Sequence, residues 1–263
     1  MNKPTHIAAS LIDLKPETLE HLSATGVGIE LSAFALPEML SDAYLPEMLR
    51  DTKRKLKDFP NFVSMHGAFY SLQPLARDPW IADVAFRRME QSMQIANELG
   101  IEDVVFHANY FPVPQPDYKK RWLAGQKKFW ERLVPVAEKY GVIAHIENTR
   151  EPDPTYLKGI VDHLDSPHFG IVLDTGHTHC FTNSNIPVVD WVKGYGERLT
   201  YLHVHSNHGK RDEHIAFTEG TVNFTGFFEA LSDMETYPKF IVEVKTKDAF
   251  DKSFKALKEM RFT

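Results

Sequence analysis

A single (β/α)₈ barrel, the TIM-barrel class of α/β fold, is the architecture this sequence predicts across residues 1–263. Two observations carry that expectation. Short apolar, β-rich runs alternate with longer helical patterns from one end of the chain to the other, as in a parallel sheet joined by helices. There are eight such runs, and a length of 263 residues matches the roughly 250 that one barrel takes.

The predicted strands cover residues 6–10, 28–32, 62–66, 104–107, 143–147, 170–174, 201–205 and 240–244. Between them lie helical segments with recognisable ends. Residues 78–99 open on Asp-Pro, carry apolar residues at 3–4 spacing and stop at Gly100, a residue suited to the left-handed turn after a helix. Residues 117–140 repeat the design, with Asp117 in front and Gly141 behind, and a last helix over 248–260 completes the eighth unit. Segments 108–116, 178–187 and 206–222 are longer and richer in Pro, Asn, Gly and Thr than a bare connection needs. They follow strands four, six and seven and so should form the rim of the catalytic face. No linker or low-complexity stretch divides the chain. An open doubly wound sheet is the alternative, but no GxGxxG follows the first strand.

Composition narrows the function classes. Hydrophobic residues at 43% and charged residues at 25% are the balance of a soluble globular protein. The net charge is −6 and the longest basic run is Lys53-Arg54-Lys55, so a nucleic acid is a less favoured partner than a small molecule. Cys180 is the only cysteine, which excludes an intrachain disulfide and multi-cysteine zinc sites. No apolar run approaches the ~18 residues of a membrane helix, and residues 1–10 lack a signal-peptide core. A cytoplasmic protein without a membrane partner is the expectation, and assembly into a homo-oligomer stays open.

The chemistry lies at the strand ends. Strand three ends at His66, strand four at His107, strand five at Glu147 and strand six at Asp174, with His177 three residues on. Strand seven carries His203 and His205, Asp212 and His214 follow in a DEH triplet, and strand eight delivers Glu243. Six successive strands thus bring ionisable groups to the face where barrel enzymes do chemistry. Carboxylates buried together are costly unless cations or hydrogen bonds compensate them. Imidazoles and carboxylates without thiolates suit a divalent metal, zinc or manganese first, with iron or cobalt also acceptable. Nine donors (His66, His107, Glu147, Asp174, His177, His205, Asp212, His214 and Glu243) are too many for one ion, so two or three ions are expected, bridged by Glu147 or Glu243.

These residues resemble the xylose isomerase-like barrel superfamily, which includes endonuclease IV, the ketose 3-epimerases and sugar phosphate isomerase/epimerase-type proteins. The resemblance runs through all eight units. The epimerase branch implies one metal on Glu147, Asp174, His205 and Glu243, with His177 and Arg211 contacting substrate. The endonuclease branch implies three zinc ions on all nine donors. Against it, the segment from His205 to Asp212 is short, Asp174-Thr-Gly-His177 replaces the nuclease-type Asp-x-Cys-His, and Ser206-Asn207-His208 replaces its Asn-Asp.

Two functions follow from the resemblance. One is a metal-dependent isomerase or epimerase of a small sugar or sugar phosphate, in which Glu147 and Glu243 pass a proton and His177 and Arg211 hold the substrate. The other is an endonuclease IV-like multi-zinc phosphodiesterase. A barrel using metal only for structure or sensing is a third. For other residues the expectations are these: His203 is as readily a metal ligand as a hydrogen-bond donor behind the ligands, His145 takes the donor role, His179, His208 and Cys180 are rim residues, and Glu30 either meets a sugar hydroxyl or pairs with a neighbouring base. Phe69, Tyr70, Trp80, Tyr110 and Phe111 would pack loops or stack on a substrate, and Glu219-Gly220 would meet a backbone requirement.

Overall fold

The computed structural model describes residues 6–182, 185–260 and 262. Among them eight parallel strands, β1 (Ile7–Leu11), β2 (Gly28–Leu31), β3 (Val63–His66), β4 (Asp103–His107), β5 (Ile143–Glu147), β6 (Phe169–Asp174), β7 (Leu199–Val204) and β8 (Lys239–Val242), close into a barrel in chain order. Outside lie α1 (Pro16–Thr25), α2 (Leu45–Leu56), α3 (Pro79–Leu99), α4 (Tyr118–Tyr140), α5 (Thr155–Leu164), α6 (His177–Cys180), α7 (Val188–Tyr195), α8 (Phe227–Ser232) and α9 (Lys247–Glu259). The strand and helix expectations hold within a residue or two. Strands β7 and β8 stop at Val204 and Val242, so His205 and Glu243 stand just beyond their ends.

The sequence shows why the elements form where they do. Asp78 caps α3 by accepting a hydrogen bond from Trp80 N at 2.9 Å, and Gly100 and Gly141 end α3 and α4 at φ 72° and 66°. Asp117 differs from that expectation: it sits at φ 57° and its side chain makes no cap hydrogen bond.

Strand side chains alternate between two cores, the consequence of a period of two. Ala9, Ile29, Met65, Val104, Phe106, Ile171, Leu173, Leu202, Val204, Phe240 and Val242 join the layer under the helices. Ala8, Val105, Val172, Tyr201 and Ile241 form a separate small cluster that fills the barrel interior. Below that plug, at the N-terminal ends of the strands, His145 Nε2 lies 2.8 Å from Asp103 Oδ1 and its Nδ1 lies 2.9 Å from Thr200 Oγ1, while Lys239 also pairs with Asp103. His145 therefore belongs to the opposite end of the barrel from the strand-end donors.

Candidate metal centre

The same alternation aims the chemistry inward. His66, His107, Asp174, His203 and Glu243 each lie two residues after Ser64, Val105, Val172, Tyr201 and Ile241, so they continue the interior face one layer above the plug. The donors expected from the sequence converge there. His66 Nε2 and His107 Nε2 both stand 3.4 Å from Glu147 Oε2. His177 Nδ1 is 3.2 Å from Glu147 Oε1, and its Nε2 is 3.5 Å from Asp212 Oδ2. His205 Nε2 lies 3.0 Å from Asp174 Oδ2, and His214 Nε2 lies 2.7 Å from Asp212 Oδ2. Glu243 Oε2 approaches His203 Nδ1 at 3.2 Å.

Five groupings emerge whose donor atoms lie within 4.8 Å of one another: His66, His107 and Glu147; His205, Asp212 and His214; Asp174, His205 and Glu243; and two that include His203, one with Glu147 and Asp174 and one with Glu30 and Glu243. Around a tetrahedral ion with bonds near 2.1 Å, neighbouring donors stand about 3.4 Å apart, which is the spacing seen at Glu147. Buried Glu147 Oε2, His203 Nδ1, His205 Nδ1, Asp212 Oδ1 and Glu243 Oε2 have no hydrogen-bond partner. Orphaned acceptors crowded at this spacing fit divalent ions with nitrogen and oxygen ligands.

The electrostatics agree. Burial would raise the Glu147 carboxyl, but the histidines around it together outweigh burial and hold Glu147 well below the usual carboxylate range. Burial also opposes ionisation of Asp174, yet His177 and His205 pull its pKa down. His107 is driven to about 3, chiefly by burial, which leaves a neutral imidazole ready to ligate. At the more open mouth, Glu243 and Asp212 prevail over burial and raise His214 to about 9.

Surrounding groups fix the donors. Asn148, directly after Glu147, clasps the end of β6: its Oδ1 accepts from Asp174 N at 2.8 Å and its Nδ2 donates to Asp174 O at 3.1 Å. The Asn148 carbonyl is 2.8 Å from His177 Nδ1, and the Glu243 carbonyl is 3.1 Å from His214 Nδ1. Such contacts select the tautomer and aim the opposite nitrogen. Thr175 Oγ1 donates to His205 O at 2.8 Å. Gly176 is required by the approach of His205: a Cβ there would lie 2.0 Å from the ring's Cε1. Gly220 takes φ 73° against Asn207 O, the backbone requirement expected of Glu219-Gly220.

All nine expected donors meet in one cluster, but Arg211 does not join it. Its side chain is 82% exposed and its Nε stands 3.6 Å from Glu213 Oε1. His208 also pairs with Glu213, at 2.8 Å, His179 lies 2.8 Å from Thr221 Oγ1, and burial pushes the Cys180 thiol up to about 12. Phe69 stacks on His107 with ring centres 3.9 Å apart, forming one wall of the site. Tyr110 packs against Trp122 and Tyr156, whereas Tyr70, Trp80 and Phe111 are exposed. Sequence reasoning missed Asn148 and Glu151. Glu151 is fully buried, accepts from Thr149 N at 2.6 Å, and is raised by burial to about 7. Asn148 could have been found from its place beside Glu147; Glu151 looks like any loop acid.

The family model of the xylose isomerase-like TIM barrel matches residues 20–262. The chain belongs to that family. Among similar proteins, the uncharacterized protein MJ1311 of Methanocaldococcus jannaschii is 28% identical over 203 residues, 75% of this chain and 69% of that one. The structure of TTHB071 protein from Thermus thermophilus, soaked with ZnCl2, is similar with TM-score 0.81 and 22% identity, covering 97% of this chain and 98% of that one. A D-tagatose 3-epimerase-like protein superposes with TM-score 0.78 and 24% identity, covering 97% and 96%. Among the described residues, no helix is long and apolar enough to cross a membrane.

Proposed function

We propose that the protein is a metal-dependent isomerase or epimerase of a small sugar or sugar phosphate, working by proton transfer between Glu147 and Glu243. The observation that carries this reading is the convergence of Glu147, Asp174, His205 and Glu243 from β5 to β8, with both glutamates facing one point, His203 Nδ1, at 3.4 and 3.2 Å. The likeness to a D-tagatose 3-epimerase-like protein across nearly the whole chain supports it. A divalent ion on that quartet, zinc or manganese by donor chemistry, would polarise a substrate carbonyl and acidify the adjacent C–H.

The chain's own residues do the rest. Glu147 is held ionised by its histidines, the state a base needs to accept a carbon-bound proton. Glu243 sits at the more open side and would return the proton. His177, fixed through Nδ1 by the Asn148 carbonyl, presents Nε2 to the mouth as a contact for substrate oxygens. Phe69 offers an apolar face to the ring carbons. Arg211, on the 206–222 rim, would engage the outer end of the substrate, so Arg211→Ala should raise KM more than it lowers kcat.

One observation favours a second reading. The His66–His107–Glu147 and His205–Asp212–His214 groups supply sites beyond the quartet, as a multi-zinc phosphodiesterase requires. The two readings separate in one experiment on chelator-stripped, metal-restored protein. Deuterium uptake from heavy water into one of a panel of ketoses and ketose phosphates, lost in Glu147→Gln and Glu243→Gln, is the expected result. Cleavage of an abasic-site duplex with no such exchange would replace the isomerase by the hydrolase.

A further inference from the structure

Deepest in the site lies a histidine that the nine-donor set does not use. His203 is fully buried, and its Nε2 is 3.0 Å from Glu30 Oε2 on β2. A carboxylate only accepts, so this nitrogen carries the hydrogen and the lone pair of the neutral ring falls on Nδ1. Glu30 is itself held: Tyr201 Oη donates to the same Oε2 at 2.7 Å, and Ser64 Oγ stands 2.7 Å from Tyr201 Oη. The Nδ1 atom faces Glu243 Oε2 at 3.2 Å, Glu147 Oε1 at 3.4 Å and Asp174 Oδ2 at 4.0 Å. Neither Nδ1 nor Glu243 Oε2 has a hydrogen-bond partner, so none of these contacts is directed as one. A lone pair among three carboxylates is repulsive unless a proton on Nδ1 or a metal cation stands between them, and the missing hydrogen-bond alignment favours the cation. The two shorter separations match the roughly 3.4 Å edges of a tetrahedral site.

We infer that His203 Nδ1 is a further metal ligand, shared with Glu147, Asp174 and Glu243, and that Glu30 is its positioning residue. The arrangement is carboxylate, imidazole and metal in line, in which the carboxylate fixes the tautomer and strengthens the nitrogen as a donor. Ser64, Tyr201 and Glu30 therefore extend the metal centre down to the barrel plug. The inference rests on the metal-binding part of the proposed function and not on the reaction.

Three proteins test it: wild type, His203→Gln and Glu30→Gln, each stripped of metal and titrated with Zn²⁺ against a chromophoric chelator. Glu30→Gln keeps shape and a hydrogen-bond acceptor, so it remains informative should His203→Gln fail to fold. The expected result is a roughly 10- to 100-fold weaker tightest site in Glu30→Gln, the range typical of lost support behind a ligand, and a larger loss in His203→Gln. As an independent readout, ¹⁵N-histidine spectra of wild type titrated with Cd²⁺ should show cadmium coupling to a Nδ1 whose partner Nε2 shifts in Glu30→Gln. Wild-type affinity in Glu30→Gln, or no such coupling at saturation, overturns the inference and leaves the isomerase reading intact. Normal metal behaviour without proton exchange does the reverse.

Discussion

Replacing Gly176 by Ala places a methyl carbon 2.0 Å from His205 Cε1, 2.5 Å from its Nδ1 and 2.7 Å from its Nε2. The backbone at Gly176, φ −71° and ψ −38°, suits alanine as well as glycine, so the whole effect is steric. Ordinary contact between such atoms needs about 3.5–4 Å, and the imidazole must therefore retreat by more than an ångström. It cannot do so freely, because it stacks on His214 with ring centres 4.0 Å apart and meets Asp174 Oδ2 at 3.0 Å. Overpacking of this kind costs about 1–3 kcal/mol, which leaves a barrel of this size folded. Displacing a ligand should cost metal affinity on the order of tenfold or more, since loss of its supports alone reaches that range. Competition titration with Zn²⁺ or Co²⁺, beside a urea melt of the stripped protein, separates the two effects. A folded Gly176→Ala protein that binds metal within twofold of wild type would refute the placement of His205 as a ligand.

Three further outcomes are expected. Glu151, raised from 4.5 to about 7 by burial, stabilises the fold below pH 4.5, where it is neutral in both states, and that stability is lost as pH rises through 7. Relative to Glu151→Gln, wild type should lose about 3 kcal/mol between those limits in urea melts; parallel pH profiles would show that Glu151 is not buried as described. Asp103→Asn breaks the His145 and Lys239 pairs at the far end of the barrel, so it should lower stability by about 1–3 kcal/mol while metal affinity stays unchanged, checked by melt and titration together. Metal at a hundredfold excess over its dissociation constant should stabilise wild type by about 2.7 kcal/mol, read as a rise in urea midpoint, and chelator should reverse it.

The barrel was legible because both its signals are local. Short apolar runs alternating with helical segments mark the fold, and in the folded barrel strand parity sets which side chains face inward. Their place at the C-terminal ends of the strands is why His66, His107, Glu147, Asp174 and Glu243 could be named as convergent from the sequence, and parity turns them inward. What parity does not give is depth along the barrel axis. His145 and His203 each precede a strand-end donor by two residues, yet His145 lies below the plug with Asp103 while His203 reaches into the centre. The barrel's stagger and the register shift between β6 and β7 at Ile171/Val172 decide this, and neither is written in one strand's sequence. Arg211 shows the complementary limit. Its spacing from His205 suits a substrate contact, but a rim loop closed by the Ser206–Ile215 bridge sends it to solvent beside Glu213. Gly176 carries no pattern of its own; its role exists only through the His205 ring packed against it.

The central claim is that the strand-end cluster is a divalent metal centre. Elemental analysis of the protein as purified, followed by equilibrium titration of stripped protein with Zn²⁺, Mn²⁺, Fe²⁺ and Co²⁺, tests it directly. At least one tightly held ion per chain, abolished by Glu147→Gln, is predicted, and ions beyond the first report on the His66–His107 and Asp212–His214 groups. Retention of no metal, with none of the four ions binding to folded wild-type protein, would contradict the account.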